Sequence, residues 1–158
     1  MSGVERDGPV DPARSALMAR IRGKDTRPEL IVRRTAHALG FRFRLHRRDL
    51  PGSPDLVFPR LRKAIFVHGC FWHRHPGCPK ASTPKTRAEF WASKFATNVE
   101  RDIRSVVALE ELGWKVCVLW ECETSNPAMI RRKVKSFLTG HRRAAGGPPR
   151  RGRRTRYG

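Results

Sequence analysis

The chain has 158 residues, of which 39% are hydrophobic and 30% charged, so it is expected to form one globular domain of ordinary size. It has no run of 18 apolar residues, and its N-terminal segment has no apolar stretch typical of a secretory signal, which together predict a cytosolic protein and exclude a membrane span. The net charge of +20, to which the seven arginines after Gly140 contribute only part, favours nucleic acid as a partner over a merely solvated basic surface.

The N-terminal part of the sequence predicts a loose arm followed by two helices. Residues 1–12 are polar and are expected to form a flexible arm, and residues 15–22 read as a short helix. Thr26 and Glu29 form a capping-box pattern, which predicts a helix that runs to Leu39. The residues of this helix that we expect to pack inward are Leu30, Thr35, Ala38 and Leu39.

Four short strands are predicted after this helix. Alternation of apolar and basic residues predicts a half-buried strand over residues 41–45. Apolar runs predict strands over residues 55–58 and 63–67 and a buried strand over residues 114–120.

Two further helices complete the predicted domain. Thr86 opens a second capping-box pattern and a helix to about residue 112, and Pro127 starts a last helix to about residue 138. This order predicts an α/β fold over residues 13–139, with a mixed sheet between helices. Residues 140–158 are rich in Gly, Pro and Arg and are expected to be disordered.

The segment from His68 to Cys78 concentrates cysteines and histidines, which in a reducing compartment points to metal rather than to disulfides. A structural zinc ion takes four nitrogen or sulfur ligands. Cys70 and Cys78 could supply two of them, His73 or His75 a third, and Cys122 the fourth from the end of a strand. Spacing alone does not decide between the two histidines. Cys117 lies in the middle of a strand and reads as a core thiol.

A carboxylate and a histidine are predicted to meet at the ends of two strands. Asp55 stands at the start of one strand, and His68 ends the next. A carboxylate suits Mg²⁺, and phosphodiester hydrolysis needs a metal together with a base that activates water. Glu29 and His73 add further candidate groups.

Asp102, in the long predicted helix, allows two interpretations. It shares a helix face with Trp91 and Asn98, beside an expected buried stripe, but it could equally be an exposed acid paired with Arg101 or Arg104. The expected buried stripe consists of Phe95, Val99, Ile103 and Val106. The lysines that read as plain basic surface are Lys63, Lys80 and Lys85.

Phe71 and Trp72 lie between the candidate metal ligands. Large apolar side chains on a rigid loop of a basic protein can wedge between base pairs. The alternative is that they pack over the zinc site. Trp91 could join them or belong to the core.

Taken together, these segments resemble the very short patch repair DNA mismatch endonucleases. The similar segments span roughly residues 14–138, and the block from His68 to His73 (HGCFWH) is the most specific of them. The others are Arg14–Met18, Lys24–Thr26 with Glu29, Leu50–Asp55 (LPGSPD), Ile65–Val67, Thr86–Trp91, Asn98–Asp102, and Leu112–Trp114 through Cys122.

The resemblance implies a restriction-endonuclease-like three-layer sandwich that contains a structural zinc site. It also implies a Mg²⁺-dependent nick on the 5′ side of the T in T:G mismatches, which arise when 5-methylcytosine deaminates. It implies that Asp55 and the Val67 backbone carbonyl bind the metal and that Glu29 and His68 support the metal's water shell. It further implies that His73 acts as general acid or base, with Asp102 as its partner.

The resemblance further implies roles in zinc and DNA binding. The implied zinc ligands are Cys70, His75, Cys78 and Cys122. The implied DNA contacts are Phe71, Trp72 and Trp91 as intercalating side chains, with Met18, Lys94 and Asn98. The expected protein is a nucleoid-associated monomer whose substrate is double-stranded DNA and whose product passes to downstream repair proteins. The alternatives are a related restriction-like nuclease of different specificity and a non-catalytic, zinc-stabilised DNA-binding module.

Overall fold

A computed structural model describes residues 24–140, which fold around one four-stranded sheet. Its strands lie in the order β1 (Arg44–Leu45), β2 (Leu56–Phe58), β3 (Lys63–His68) and β4 (Lys115–Trp120). The pairs β1–β2 and β2–β3 are antiparallel, whereas β3–β4 is parallel. The sheet is therefore mixed, as the order of elements predicts.

Within residues 24–140, three α-helices accompany the sheet: α1 (Arg27–Ala38), α2 (Ala88–Glu111) and α3 (Pro127–Thr139). Short 3₁₀ turns, Pro59–Leu61 and Glu121–Ser125, follow β2 and β4. At the start of α1 the Thr26 hydroxyl accepts a hydrogen bond from the backbone N–H of Glu29 at 3.4 Å, which confirms the predicted N-cap.

Alternate side chains of the sheet pack on opposite faces. Leu56, Phe58 and Ile65 point to the side covered by α1 and α3. The intervening Val57 and Ala64 belong to a second core on the side of α2. Buried residues that complete the first core are Val32, Ala36, Leu119, Ile130, Val134 and Leu138, and those that complete the second are Phe66, Leu109 and Trp114. The predicted layers of helix, sheet and helix are thus present, each built on its own apolar core.

Two predicted strands differ from the structure. The strand expected over residues 41–45 shortens to β1, whose two residues are both exposed. Phe41 and Phe43 instead pack edge-on against the buried Phe58. In β4 only Leu119 is fully buried, because β4 is an outer strand of the described sheet and one of its edges has no strand neighbour there.

The helices also correct several expectations. In α1 the buried residues are Glu29, Val32 and Ala36, so of the four residues expected to face the core only Leu39, just beyond the helix, packs against it. Helix α2 begins after Arg87, which takes a left-handed conformation (φ 55°), so Thr86 is not its cap. Ile103 is 59% exposed, so the stripe that we expected to be buried is interrupted there.

Lys63 is not a surface lysine. Its side chain is buried, and its ammonium group donates to the backbone carbonyls of Phe137, Leu138 and Gly140 at 2.6, 3.1 and 2.9 Å. A cation at the C-terminus of a helix satisfies carbonyls that the helix leaves without partners. Lys63 therefore fastens the last turn of α3 to the sheet.

Several expectations fall outside the described residues. They concern the arm over residues 1–12, the short helix over residues 15–22 with Met18, and the tail beyond Gly140. Within residues 24–140, no helix is both long and apolar enough to cross a membrane.

Candidate functional site

A cavity of about 580 Å³ brings the candidate catalytic residues together. It lies where β2 begins and β3 ends, which are neighbouring points of an antiparallel pair. The candidate residues that line it are Glu29, Asp55, Val67, His68, His73 and Asp102. Side chains separated by more than 70 residues in sequence thus share one pocket.

Asp55 is held in place by the loop before it and by β3. Gly52 has φ 71°, and a Cβ atom there would lie 2.6 Å from the Cβ of Ser105, so glycine allows this loop to lie directly on α2. The Asp55 Oδ2 atom accepts a hydrogen bond from the Val67 N–H at 2.7 Å. Burial raises the pKa of Asp55 to about 7, with Glu29 contributing in the same direction and the Val67 N–H opposing it.

His68 and His73 stack, with ring centroids 4.0 Å apart and planes inclined by 7°. His68 is buried, and burial together with the nearby His73 lowers its pKa to about 4. The His73 Nδ1 and Asp102 Oδ2 atoms lie 2.5 Å apart. A carboxylate bonded to one ring nitrogen fixes the tautomer and leaves Nε2 available for chemistry. This pairing decides between the two interpretations of Asp102, since its partner is His73.

A charged network that the sequence did not predict surrounds Glu29. The Arg33 guanidinium contacts Asp25 at 2.7 Å, Glu29 at 3.1 Å and the His46 Nε2 atom at 2.9 Å. His46 has a left-handed backbone (φ 45°), and its Nδ1 atom lies 3.8 Å from the Asp55 Oδ1 atom. The spacing of four between Glu29 and Arg33 was the one available sequence signal, because His46 lies in a run of basic residues.

The structure brings Cys70, His75, Cys78 and Cys122 together, with their donor atoms within 4.8 Å of one another. The His75 Nδ1 atom lies 3.7 Å from the Cys70 Sγ and 3.3 Å from the Cys122 Sγ. In a tetrahedral zinc site with ordinary bond lengths, a nitrogen and a sulfur ligand lie about 3.6 Å apart. The donor set and its spacing therefore fit zinc.

The division of the histidines follows from the same geometry. His75 belongs to the cysteine group, whereas His73 belongs to the group of His68 and Asp102. Cys117 lies outside the four-residue group, and burial raises its pKa, as expected of a core thiol.

Four aromatic side chains, Phe71, Trp72, Trp91 and Phe95, form what we call the aromatic cluster. The Phe71 ring lies 5.1 Å from Trp72, 5.7 Å from Trp91 and 5.3 Å from Phe95, and Phe95 is buried while the other three are half-buried. The cluster joins the loop that follows β3 to the first turns of α2. The ring stacked on the candidate zinc ligand His75 is that of Trp120, at 4.3 Å.

The remaining candidate DNA contacts lie along α2. The Asn98 side chain donates to the Trp72 backbone carbonyl at 3.2 Å, and Lys94 is exposed one turn earlier. The Asn98 side chain therefore lies beside the aromatic cluster, and Lys94 directly precedes Phe95 in the chain.

Comparison with known proteins gives a consistent picture. The family model described as "DNA mismatch endonuclease Vsr" matches residues 9–80. The chain is 48% identical to the type II nicking enzyme V.XorIIP of Xanthomonas oryzae over 125 residues, which are 79% of this chain and 91% of that enzyme. It is 41% identical to the type II nicking enzyme V.NmeAIP of Neisseria meningitidis, over 79% of this chain and 89% of that enzyme. It is 45% identical to the DNA mismatch endonuclease Vsr of Escherichia coli, over 69% of each chain.

Proposed function

Because this chain belongs to the Vsr family of DNA mismatch endonucleases, we propose that it nicks double-stranded DNA on the 5′ side of the T in T:G mismatches produced by deamination of 5-methylcytosine. The observation that carries the proposal is the convergence of Asp55, His68, His73 and Asp102 on one cavity. A pure binding module has no need of that set of groups. We also infer that the layered fold is the restriction-endonuclease-like one.

Mg²⁺ is the proposed catalytic cofactor, held by Asp55 and the Val67 backbone carbonyl. The residues fit a hard cation, since the Val67 N–H engages only Oδ2 of Asp55 and burial makes an uncompensated carboxylate costly. A bound Mg²⁺ supplies a Lewis acid that polarises the phosphoryl oxygen and acidifies water. Glu29 and His68, on the same cavity, would hold the water shell by hydrogen bonds.

His73 is the proposed general acid or base. Its Nδ1 atom is engaged by Asp102, so proton transfer takes place at Nε2. The parallel stack on the buried His68 restrains the ring plane, so that a proton moves to or from a fixed position. Asp102 acts through His73, by fixing its tautomer.

DNA binding is assigned to the aromatic cluster and the basic surface. Phe71, Trp72 and Trp91 would enter the base stack beside the mismatch, with Lys94 and Asn98 contacting the DNA next to them. Met18 is a proposed further contact. The net charge of +20 supplies affinity for the phosphate backbone. Zinc bound by Cys70, His75, Cys78 and Cys122 would fix the loop that carries Phe71, Trp72 and His73.

A second candidate is a nicking endonuclease of different specificity. Several relatives are named type II nicking enzymes rather than mismatch endonucleases, which is the observation in its favour. The two candidates share the catalytic residues and differ in the DNA that they select.

The test is incubation of the zinc-loaded protein with Mg²⁺ and duplexes that carry a T:G pair or the matched T:A pair in several sequence contexts. We expect cleavage of the T strand only, on the 5′ side of T, and only in mismatched duplex. Equal cutting of matched duplex would favour the second candidate.

Two variants test the catalytic assignment. Asp55→Ala should abolish nicking and retain mismatch binding. The matched control Asp49→Ala removes an exposed acid that pairs with Arg47, and it should cut at the wild-type rate. Full activity of Asp55→Ala would exclude Asp55 as the metal carboxylate.

A further inference from the structure

We propose that Arg74 is the positioning residue of the aromatic cluster: it clamps Phe71 against Phe95 and so presents a preformed wedge to DNA. The inference rests on the proposed function, since it concerns how the protein recognises a mismatch. Arg74 lies between His73 and His75, so it is carried by the loop that holds the proposed catalytic and zinc groups.

The guanidinium of Arg74 lies over two rings of the aromatic cluster, those of Phe71 and Phe95. Its Cζ atom lies 4.0 Å from the ring centroid of Phe95 and 6.0 Å from that of Phe71. A planar guanidinium stacks favourably on an aromatic face, and the contact is stronger where water is excluded. Phe95 is buried, so this contact is partly desolvated.

Hydrogen bonds fix the same guanidinium from its edges. NH1 donates to the carbonyls of Ser82 at 3.1 Å and Phe71 at 3.4 Å. NH2 donates to the carbonyl of Ala81 at 2.7 Å and the Thr83 hydroxyl at 3.0 Å. Because both terminal nitrogens are engaged within the protein, Arg74 serves as an internal brace rather than as a phosphate ligand.

The backbone supports the same conclusion. Arg74 has φ 55°, a backbone conformation that residues other than glycine rarely adopt. Such a conformation persists where the surroundings over-determine it, and it is concentrated at functional sites. The left-handed residue turns the arginine towards the segment 81–83, while the neighbouring histidines lie in the two candidate metal and catalytic groups.

A wedge benefits from being rigid before it binds. Intercalation costs base stacking, and every side-chain rotamer that must be ordered on binding weakens the complex further. A clamp that orders Phe71 in advance lowers that cost for the mismatch complex. It adds nothing to binding through phosphates, which depends on charge.

The experiment uses the zinc-loaded full chain with Arg74→Lys, which keeps the charge but loses the planar stack and most of the hydrogen bonds. Arg132→Lys, at an exposed site on α3, is the matched control. Binding is measured without Mg²⁺ to duplexes that carry 2-aminopurine beside a T:G or a T:A pair, because the fluorescence of this base rises when it unstacks. Zinc content and thermal midpoint are recorded for each protein.

For Arg74→Lys we expect about tenfold weaker binding to mismatched duplex and a smaller fluorescence rise, with binding to matched duplex changed by less than about twofold. Arg132→Lys should match the wild type. Thr83→Val removes one acceptor from an exposed residue and should weaken mismatch binding by about two- to threefold. This milder variant decides the question if Arg74→Lys does not fold.

Three results would overturn the inference. Unchanged mismatch binding in a variant that folds would show that the clamp is not needed. Equal weakening for both duplexes, together with loss of zinc, would assign Arg74 a purely structural role. A wild-type protein that does not distinguish the two duplexes would overturn both this inference and the proposed mismatch specificity, whereas failure of the variants alone would leave that specificity intact.

Discussion

Replacing Asp55 by asparagine should stabilise the metal-free protein while abolishing nicking. The pKa of Asp55 is raised from 3.8 to about 7, so the fold binds the proton more tightly than the unfolded chain does. Stability is therefore lost as the pH rises from about 4 to about 7, and the loss is complete above about pH 7. Three pKa units correspond to about 4 kcal/mol, and relaxation of the protein and solvent reduces this to about 2–3 kcal/mol.

Asparagine removes that cost because it is neutral and has the same shape. Its amide oxygen can still accept the hydrogen bond that Val67 N–H donates to Asp55 at 2.7 Å. For a chain of this length, about 2–3 kcal/mol corresponds to a rise in Tm of about 5–10 °C. The rise should appear at pH 8 and vanish near pH 4.

The assay is thermal unfolding of the zinc-loaded, magnesium-free protein between pH 4 and pH 8, followed by circular dichroism. Mg²⁺ should then raise the Tm of the wild type at pH 8 and leave that of Asp55→Asn unchanged. Asp49→Asn, at an exposed acid, should follow the wild type throughout. A lower Tm for Asp55→Asn at pH 8 would refute the view that the buried, ionised carboxylate of Asp55 destabilises the fold when no cation is bound.

Three further predictions concern the candidate zinc ligand Cys78, the pair of Asp102 and His73, and the buried Lys63. Cys78→Ser should lower zinc content and Tm together, and retained zinc would remove Cys78 from the ligand set. Asp102→Asn should lower kcat about 100-fold with little change in KM for DNA, because His73 loses the partner that fixes its tautomer; an unchanged kcat would exclude this role. Lys63→Met should destabilise the fold by about 2 kcal/mol in urea unfolding, whereas the exposed Lys80→Met should change it little; equal effects would contradict the fastening of α3 by Lys63.

The parts of the site that could be predicted from the sequence are those with short-range signals. Thr26 caps α1 because the cap and its acceptor are three residues apart, which is a local pattern. Asp55 lies beside the end of β3 because, in an antiparallel pair, the start of one strand is next to the end of the other. Cys70, His75 and Cys78 lie within one loop, so their grouping follows from proximity in the chain.

The parts that could not be predicted depend on packing between distant segments. Lys63 looked like surface because nothing in its neighbourhood in sequence reveals the carbonyl groups of α3, which lie more than 70 residues away. His46 gave no signal within its basic run, since its partners are on α1 and at the start of β2. Arg74 gave no separate signal because it lies between two histidines, His73 and His75, that are themselves candidates for catalysis and for zinc binding.

The parallel pairing of β3 with β4 has a consequence for synthesis of the protein. Residues 63–68 pair with residues 56–58 on one side, but their neighbour on the other side is the strand of residues 115–120, and the cysteine group is completed only by Cys122. A ribosome-bound chain that has emerged only as far as the aromatic cluster already contains His68 and His73, but in it β3 lacks its parallel neighbour β4 and the cysteine group lacks Cys122. Assembly of the candidate active site therefore waits for the last third of the domain, so we expect an incomplete translation product to lack nuclease activity.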